Sequence, residues 1–199
     1  MNRYSALVAV TLLAATAVFA ADAPKAPTAD QQAMMDKMMK AATPGPQHEM
    51  FKKMAGEWST TVKFLMDPTQ PMQESQGTST ITTLMDGRYC QEVATGQMMG
   101  QPFNGMGITG YDNVMGKYVW SWIDNMGTGI MTGTGTANAS GKVITWNGTM
   151  WDPITGKPTK ERMVTTIADD NHYTFEMYGI PPGGKKEMKT ISIEYSRKQ

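Results

Sequence analysis

Residues 98–135, MMGQPFNGMGITGYDNVMGKYVWSWIDNMGTGIMTGTG, carry the reading that decides the fold. Glycine recurs through the stretch, with Tyr111, Tyr118, Trp120 and Trp122 among the glycines and a turn at Asp112-Asn113-Val114-Met115-Gly116-Lys117. Glycine inside a strand permits bending and close packing of backbone, and aromatic rings between such positions supply a large apolar surface. No acid, base and nucleophile gather here. The stretch describes closely approaching strands around an aromatic-lined interior, so it speaks to architecture more than to chemistry.

Working outward, the same strand period begins at Trp58, with Val62, Phe64 and Met66 on alternate positions. Further strands are expected around Gln73–Leu84, Arg88–Gln97, Phe103–Asp112, Lys117–Asp124, Gly129–Thr136, Val143–Asp152, Thr159–Ile167, His172–Tyr178 and Glu187–Arg197. Turn residues separate them: Asp86-Gly87, Asn113 to Gly116, Asn138 to Gly141, Asp152 to Gly156, Asp169 to Asn171 and Pro181 to Gly184. Ten strands joined by short turns form an antiparallel meander, and closing it into a barrel removes the exposed edges. A two-sheet sandwich is the alternative. Gly56-Glu57-Trp58 at the start of the first strand resembles the Gly-x-Trp element of lipocalins, and that resemblance implies an arginine across the tryptophan where Arg197 ends the last strand; it favours the barrel, and a cation over the indole face would clasp one barrel end.

Before the strands, Arg3, the apolar run Ala6 to Phe19 and the small residues around Ala20 have the layout of a secretory signal peptide, with cleavage expected after Ala20. The domain expectation is a signal peptide at 1–20, a flexible methionine-rich leader at 21–46 and a lipocalin-like barrel domain at 47–199. Thr28 and Gln31 have capping-box spacing for a helix over Asp30 to Ala42. Thr43-Pro44-Gly45-Pro46 breaks it, and a second short helix fits Gln47 to Ala55. Export places the chain in the periplasm or outside the cell. Eighteen basic and eighteen acidic side chains balance, which gives nucleic acid or anionic lipid little to attract. Cys90 is the sole cysteine, so no internal disulfide forms, and it reads as a small apolar strand residue.

Residues Gly45 to Trp58 and the series Met98 to Phe103, Gly110 to Asn113, Lys117-Tyr118, Trp122 to Asp124 and Met126 to Gly129 resemble the bacterial domain of unknown function 1579 family. The resemblance continues through Asp152-Pro153, Thr155 to Lys157 and Phe175 to Tyr178, covering nearly all of residues 45–197. It implies a lipocalin-like barrel, often exported, and brings no established reaction and no catalytic residues. The methionine-rich leader departs from that pattern.

Several motifs compete with this reading. Gly105-Met106-Gly107-Ile108-Thr109-Gly110 has the spacing of a dinucleotide fingerprint, but it runs into a turn and another strand where the fingerprint needs a helix N-terminus. Gly110 to Lys117 is one residue too long for a P-loop and is followed by Tyr118 where a hydroxyl-bearing Ser or Thr is required. Twenty methionines stand out, with Met34, Met35, Met38 and Met39 at helical spacing and His48 beyond them. Thioethers suit Cu(I), yet a pliable apolar face for the barrel or a protein partner explains the same stripe. His48 and His172 lack any haem-attachment context. No cofactor and no catalytic residue is expected.

The functional expectation is a non-catalytic binder of a small apolar or amphipathic ligand in a barrel cavity. Tyr111, Trp120, Trp122 and Trp146 are the candidate wall residues, and Asp124, Arg162 and Glu176 the polar ones. Those three charges could equally form cross-strand pairs on the surface. The alternatives are an enzyme of isomerase or hydrolase type using the same cavity, and a structural envelope protein with a filled barrel. No nucleic acid and no membrane span after signal cleavage are expected; the methionine helix is a candidate contact for a protein.

Overall fold

The computed structural model describes residues 26–152, 155–180 and 186–199. The signal peptide expected at 1–20, its expected cleavage point, the start of the leader and the expected Pro181 to Gly184 turn lie outside the described residues, as do Pro153 and Ile154 of the Asp152 to Gly156 turn.

Helix α1, Ala29–Ala42, begins at a complete capping box: Gln31 N donates to Thr28 Oγ1 and Thr28 N donates to Gln31 Oε1. A 3₁₀ turn, Pro46–His48, leads into α2, Glu49–Met54. Ten strands follow: β1 Gly56–Phe64, β2 Gln73–Leu84, β3 Tyr89–Met98, β4 Gln101–Asp112, β5 Lys117–Asp124, β6 Met131–Ala137, β7 Val143–Asp152, β8 Lys157–Ile167, β9 His172–Gly179 and β10 Met188–Arg197. Each pairs antiparallel with the next, and β1 pairs with β10 to close the barrel. The sandwich alternative is excluded by that closure.

Pairing fixes which side chains face inward. Trp58, Thr60, Val62 and Phe64 lie opposite Ser79, Gly77, Ser75 and Gln73 on one side and Arg197, Tyr195, Ile193 and Ile191 on the other. Met66, expected on the same strand face, falls beyond β1 and is exposed, because Asp67 and Thr69 turn the chain away. The last inward positions of the barrel end are covered by the 3₁₀ turn and α2. Phe51 is fully buried there, Tyr118 lies edge-on to it, and the Tyr118 hydroxyl donates to the Gln47 carbonyl.

The Trp58–Arg197 clasp forms as the sequence suggests. The Arg197 guanidinium sits 4.2 Å from the indole centroid and donates to the carbonyls of Ala55, Lys53 and Asp170. It therefore joins the helix end, the β8–β9 turn and the final strand at once. Gly56 is required beside it. Its φ of +137° disfavours a side chain, and a Cβ would stand 2.5 Å from the Arg197 Nη1 atom. The Trp58 indole donates to the Met54 carbonyl, and its ring stands nearly perpendicular to the stacked pair Tyr173 and Tyr195.

Helix α1 stays outside the core. None of its residues is buried. Its described tie to the barrel is Asn113 in the β4–β5 turn, whose Nδ2 donates to the carbonyls of Ala41 and Thr43.

Candidate functional site

The barrel interior is graded from full to open. At the plugged end Trp58, Ile81, Tyr118, Ile144, Trp146, Met163, Tyr173 and Tyr195 are buried. Toward the other end, inward-facing Val62, Phe103, Trp120, Trp122, Met131, Glu161 and Met177 keep partial exposure. A packed barrel would leave such positions dry and inaccessible. The mouth lies at the end formed by the β1–β2, β3–β4, β5–β6, β7–β8 and β9–β10 connections. An open recess of about 620 Å³ at its lip is bounded by Ser75, Gly96 and Phe103 from the inside and by Glu74, Gln97 and Asn104 from the outside.

The glycine pattern of residues 98–135 now has a local cause. Inward-facing indoles lie flat on glycines of the neighbouring strands. A Cβ on Gly105 would stand 2.3 Å from the Trp122 ring and one on Gly107 2.8 Å from it. Trp120 covers Gly133 and Gly148 in the same way, and Trp146 covers Gly135. The fingerprint-like glycines Gly105 and Gly107 are seats for an indole in β4, a strand that continues into a turn. Missing side chains on one strand make room for large ones on the next, so the rings panel the wall and need not fill the lumen.

Of the candidate wall residues, Trp120 and Trp122 face the accessible half. Tyr111 and Trp146 face inward but belong to the filled half: Tyr111 packs edge-on to His48 and Tyr118, and Trp146 is buried beside Tyr118. Among the polar candidates, Asp124 faces inward, yet both its oxygens are engaged. One accepts from Trp122 Nε1 at 2.9 Å and the other from Met126 N at 2.9 Å, so it orients an indole and a turn. The register places Arg162 and Glu176 on the outer face. There Arg162 binds Glu187 through both Nε and Nη2 and lies over the Tyr178 ring, while Glu176 takes Lys189 and the Tyr178 hydroxyl. The Lys189 ammonium, followed by the Tyr178 hydrogen bond, holds the Glu176 carboxyl below the usual range. The physical reason is parity: Met163, Phe175 and Met177 take the inward positions of β8 and β9.

The lumen carboxylates are others. Glu92 in β3 faces inward, accepting from Ser79 Oγ at 2.7 Å and Tyr195 OH at 3.1 Å. Burial pushes its pKa up despite both hydrogen bonds, and burial likewise raises Glu161, with the Glu187 charge adding to it. Glu92 is not among the polar residues expected from the sequence; it takes an inward position of β3, whereas its neighbour Val93 is exposed on the outer wall. Its neighbour Cys90 has its thiol pushed up to about 12, first by burial and then by the Glu92 charge, so it stays an unreactive thiol at neutral pH. Trp120 supplies a further signal. Trp58, Trp122 and Trp146 each donate their indole N–H, to Met54 O, Asp124 Oδ2 and Thr165 Oγ1, whereas the Trp120 N–H is buried with no acceptor.

Neither histidine fits a metal set with the methionines. His48 is buried in the plug, where its Nδ1 accepts from Gly45 N. His172 is exposed and its Nδ1 contacts Asp169. Met34, Met35, Met38 and Met39 are all exposed on α1. Among the described residues, no three His, Cys, Asp or Glu side chains converge as metal ligands.

Closed, plugged at one end by a short helix and clasped by Arg197 over Trp58, the molecule is a lipocalin-like ten-stranded barrel with an aromatic-panelled lumen. The chain belongs to the family described as "Protein of unknown function (DUF1579)", which matches residues 43–197. The crystal structure of Rv2717c from M. tuberculosis is similar in fold, with a TM-score of 0.59 at 14% identity over 79% of this chain and 100% of that one. So is the S-type phycobiliprotein lyase CPES from Guillardia theta, with a TM-score of 0.53 at 9% identity over 81% of this chain and 97% of that one. At these identities the likeness concerns the fold alone. No curated protein matches the sequence.

Proposed function

We propose that the protein is an exported, periplasmic, non-catalytic binder of one small apolar or amphipathic molecule, held in the accessible half of the lumen. The observation that carries this reading is the graded interior: one end is filled and plugged, while Trp120, Trp122, Met131 and Met177 present partly exposed apolar surface toward the mouth. Barrels of this kind hold a ligand by apolar area and a few polar groups that fix orientation. The unpaired Trp120 N–H offers a donor to such a molecule or to an ordered water. Likeness of fold to a phycobiliprotein lyase is consistent with a cavity that accommodates a molecule, and export rests on the layout of residues 1–20.

The test is native mass spectrometry of protein purified from its own periplasm, followed by titration of any retained molecule against tryptophan fluorescence. A molecule carried and released unchanged, whose titration signal is lost in Trp120→Phe and Trp122→Phe, supports binding. A protein that carries nothing and whose lumen takes up no apolar probe defeats the reading and leaves a structural role in the envelope.

Catalysis in the same cavity is favoured by one observation. Glu92 is a carboxyl with a raised pKa on the lumen wall, the setting of a general acid or base. Chemical conversion of the retained molecule, abolished by Glu92→Gln with binding intact, would replace the binder reading by this one.

A further inference from the structure

Helix α1 carries Met34, Met35, Met38 and Met39 within one and a half turns, and the barrel makes no use of them. A stripe at this spacing ordinarily packs on a core. Here no residue of α1 is buried, and the four side chains are 64%, 51%, 64% and 66% exposed. Their chemical uniformity calls for a second explanation. Every large apolar side chain between residues 26 and 46 is methionine, with no Leu, Ile, Val or aromatic residue among them. A face selected for apolar contact needs no such restriction, because Leu and Ile lose less rotamer freedom on burial than Met does. What the four share is sulfur. The other exposed methionines, Met66, Met85, Met99, Met115 and Met126, fall on five separate connections between strands, one on each.

Helix geometry puts the thioethers side by side. Met38 lies one turn from both Met34 and Met35, and the three occupy about 100° of the circumference. Met39 lies one turn beyond Met35, at the edge of the same stripe. The helix that presents them is fixed at both ends: the Thr28–Gln31 capping box starts it, and Asn113 holds the carbonyls of Ala41 and Thr43 just past its last turn. Thioethers are neutral, soft donors that suit Cu(I), whereas Ca(II) and Mg(II) take oxygen ligands. Helix α1 also has no His or Cys with which to hold Zn(II). Lys37 borders the stripe beside Met34 and Asp36 borders it beside Met39, so the charges at its two edges balance. Asp36 accepts a hydrogen bond from Gln32 Nε2, and Lys40 projects from the opposite face.

We propose that α1 takes up one Cu(I) ion, bound through the thioethers of Met34, Met35 and Met38, with Met39 at the rim of the site. Exposure and the three rotatable bonds of each side chain leave the sulfurs free to turn toward the ion. The ion binds as Cu(I), and no electron is transferred. The site lies outside the barrel, so it stands whether or not the lumen holds a molecule.

Protein purified after export, its N-terminus established by mass spectrometry, is titrated with Cu(I) kept reduced by ascorbate, in competition with a chromophoric Cu(I) chelator. Ag(I), which needs no reductant, serves as a second probe. One equivalent is expected to bind, with Ca(II), Mg(II) and Zn(II) failing to compete. Met38→Leu should weaken binding by at least about tenfold, the lower end of what losing even an outer-shell group costs a metal site, and Met39→Leu should weaken it less. Thioethers carry no proton, so the affinity should be the same at pH 7 and pH 5 once the chelator's own protonation is allowed for. Replacing all four methionines by Leu keeps the apolar area and the helix propensity while removing the sulfur. That variant should take up no ion and melt as the parent does, because α1 buries nothing. Ag(I) should shift methionine ε-methyl signals that are missing from its NMR spectrum. Cys90→Ala should leave uptake unchanged. The proposal is overturned by uptake that survives the four-leucine variant, by uptake lost in Cys90→Ala, by an affinity that collapses between pH 7 and pH 5 as histidine or carboxylate ligands would, or by no uptake. Absence of uptake together with self-association that the four-leucine variant retains would assign the stripe to apolar contact with a second copy.

Discussion

At the scale of single residues, the lumen is built by exchanging side-chain volume between adjacent strands. Trp120, Trp122 and Trp146 can lie against the wall because Gly133, Gly148, Gly105, Gly107 and Gly135 have no Cβ to lift them off it. Gly133 is the most constrained of these seats, since a Cβ there would stand 2.0 Å from the Asn147 carbonyl oxygen and 2.8 Å from Trp120 Nε1. Backbone cannot yield as a flexible side chain does, so Gly133→Ala should destabilise the barrel by about 1–3 kcal/mol. It should also displace Trp120 and shift the fluorescence spectrum. Gly127→Ala is the matched control, because nothing lies within 4 Å of a Cβ at that position. Urea midpoints that are equal for the two variants would count against the seat argument. The loss from Trp58→Ala should be larger, about 3–5 kcal/mol, because a nearly fully buried indole disappears from beneath the Arg197 clasp.

At the scale of elements, the plug and the leader differ in what they bury. Helix α2 places Phe51 in the core, while α1 buries nothing and is tied through one asparagine. A chain beginning at Gly45 keeps the Gly45–His48 hydrogen bond and the entire plug, so its melting temperature should match that of the longer chain within about 2 °C. A large drop would place the α1 methionines in a stabilising contact. Strand order was legible in the sequence because turn residues punctuate it, and the clasp was legible because Gly56, Trp58 and Arg197 sit at the two strand ends that closure brings together. Facing was harder to read. In β3, Val93 is apolar but lies outside, whereas Glu92 is acidic but lies inside among Ser79 and Tyr195. In β8 and β9, the charges of Arg162 and Glu176 seemed available to the lumen only until register assigned the inward positions to Met163, Phe175 and Met177. A barrel whose outer wall carries apolar residues and whose inner wall carries acids erases the alternation on which such a reading depends.

At the scale of the whole molecule, the barrel interior has two environments, a filled end under the plug and a partly exposed end toward the other connections. Glu92 lies toward the filled one, near the stacked Tyr173 and Tyr195, and this position makes the stability of the entire barrel depend on pH. Its pKa in the folded protein is raised, first by burial, so the folded state holds this proton to higher pH than the unfolded chain does. The associated stability is fully present below the ordinary glutamate value of about 4.3 and is lost as pH rises through the raised value. Glu161 contributes in the same direction. Glu176 and Glu187 act oppositely, but they lie outside on exposed ion pairs, where solvent screens the effect. Glutamine at position 92 would keep an oxygen to accept from Ser79 and Tyr195 while removing the buried charge. Glu92→Gln should therefore raise the melting temperature above that of the parent at pH 8, with the gap narrowing as pH falls toward 4. Thermal melts of both proteins across that range check it, and a variant that is less stable than the parent at pH 8 would show that the ionised carboxylate is itself required to hold Ser79 and Tyr195 in place.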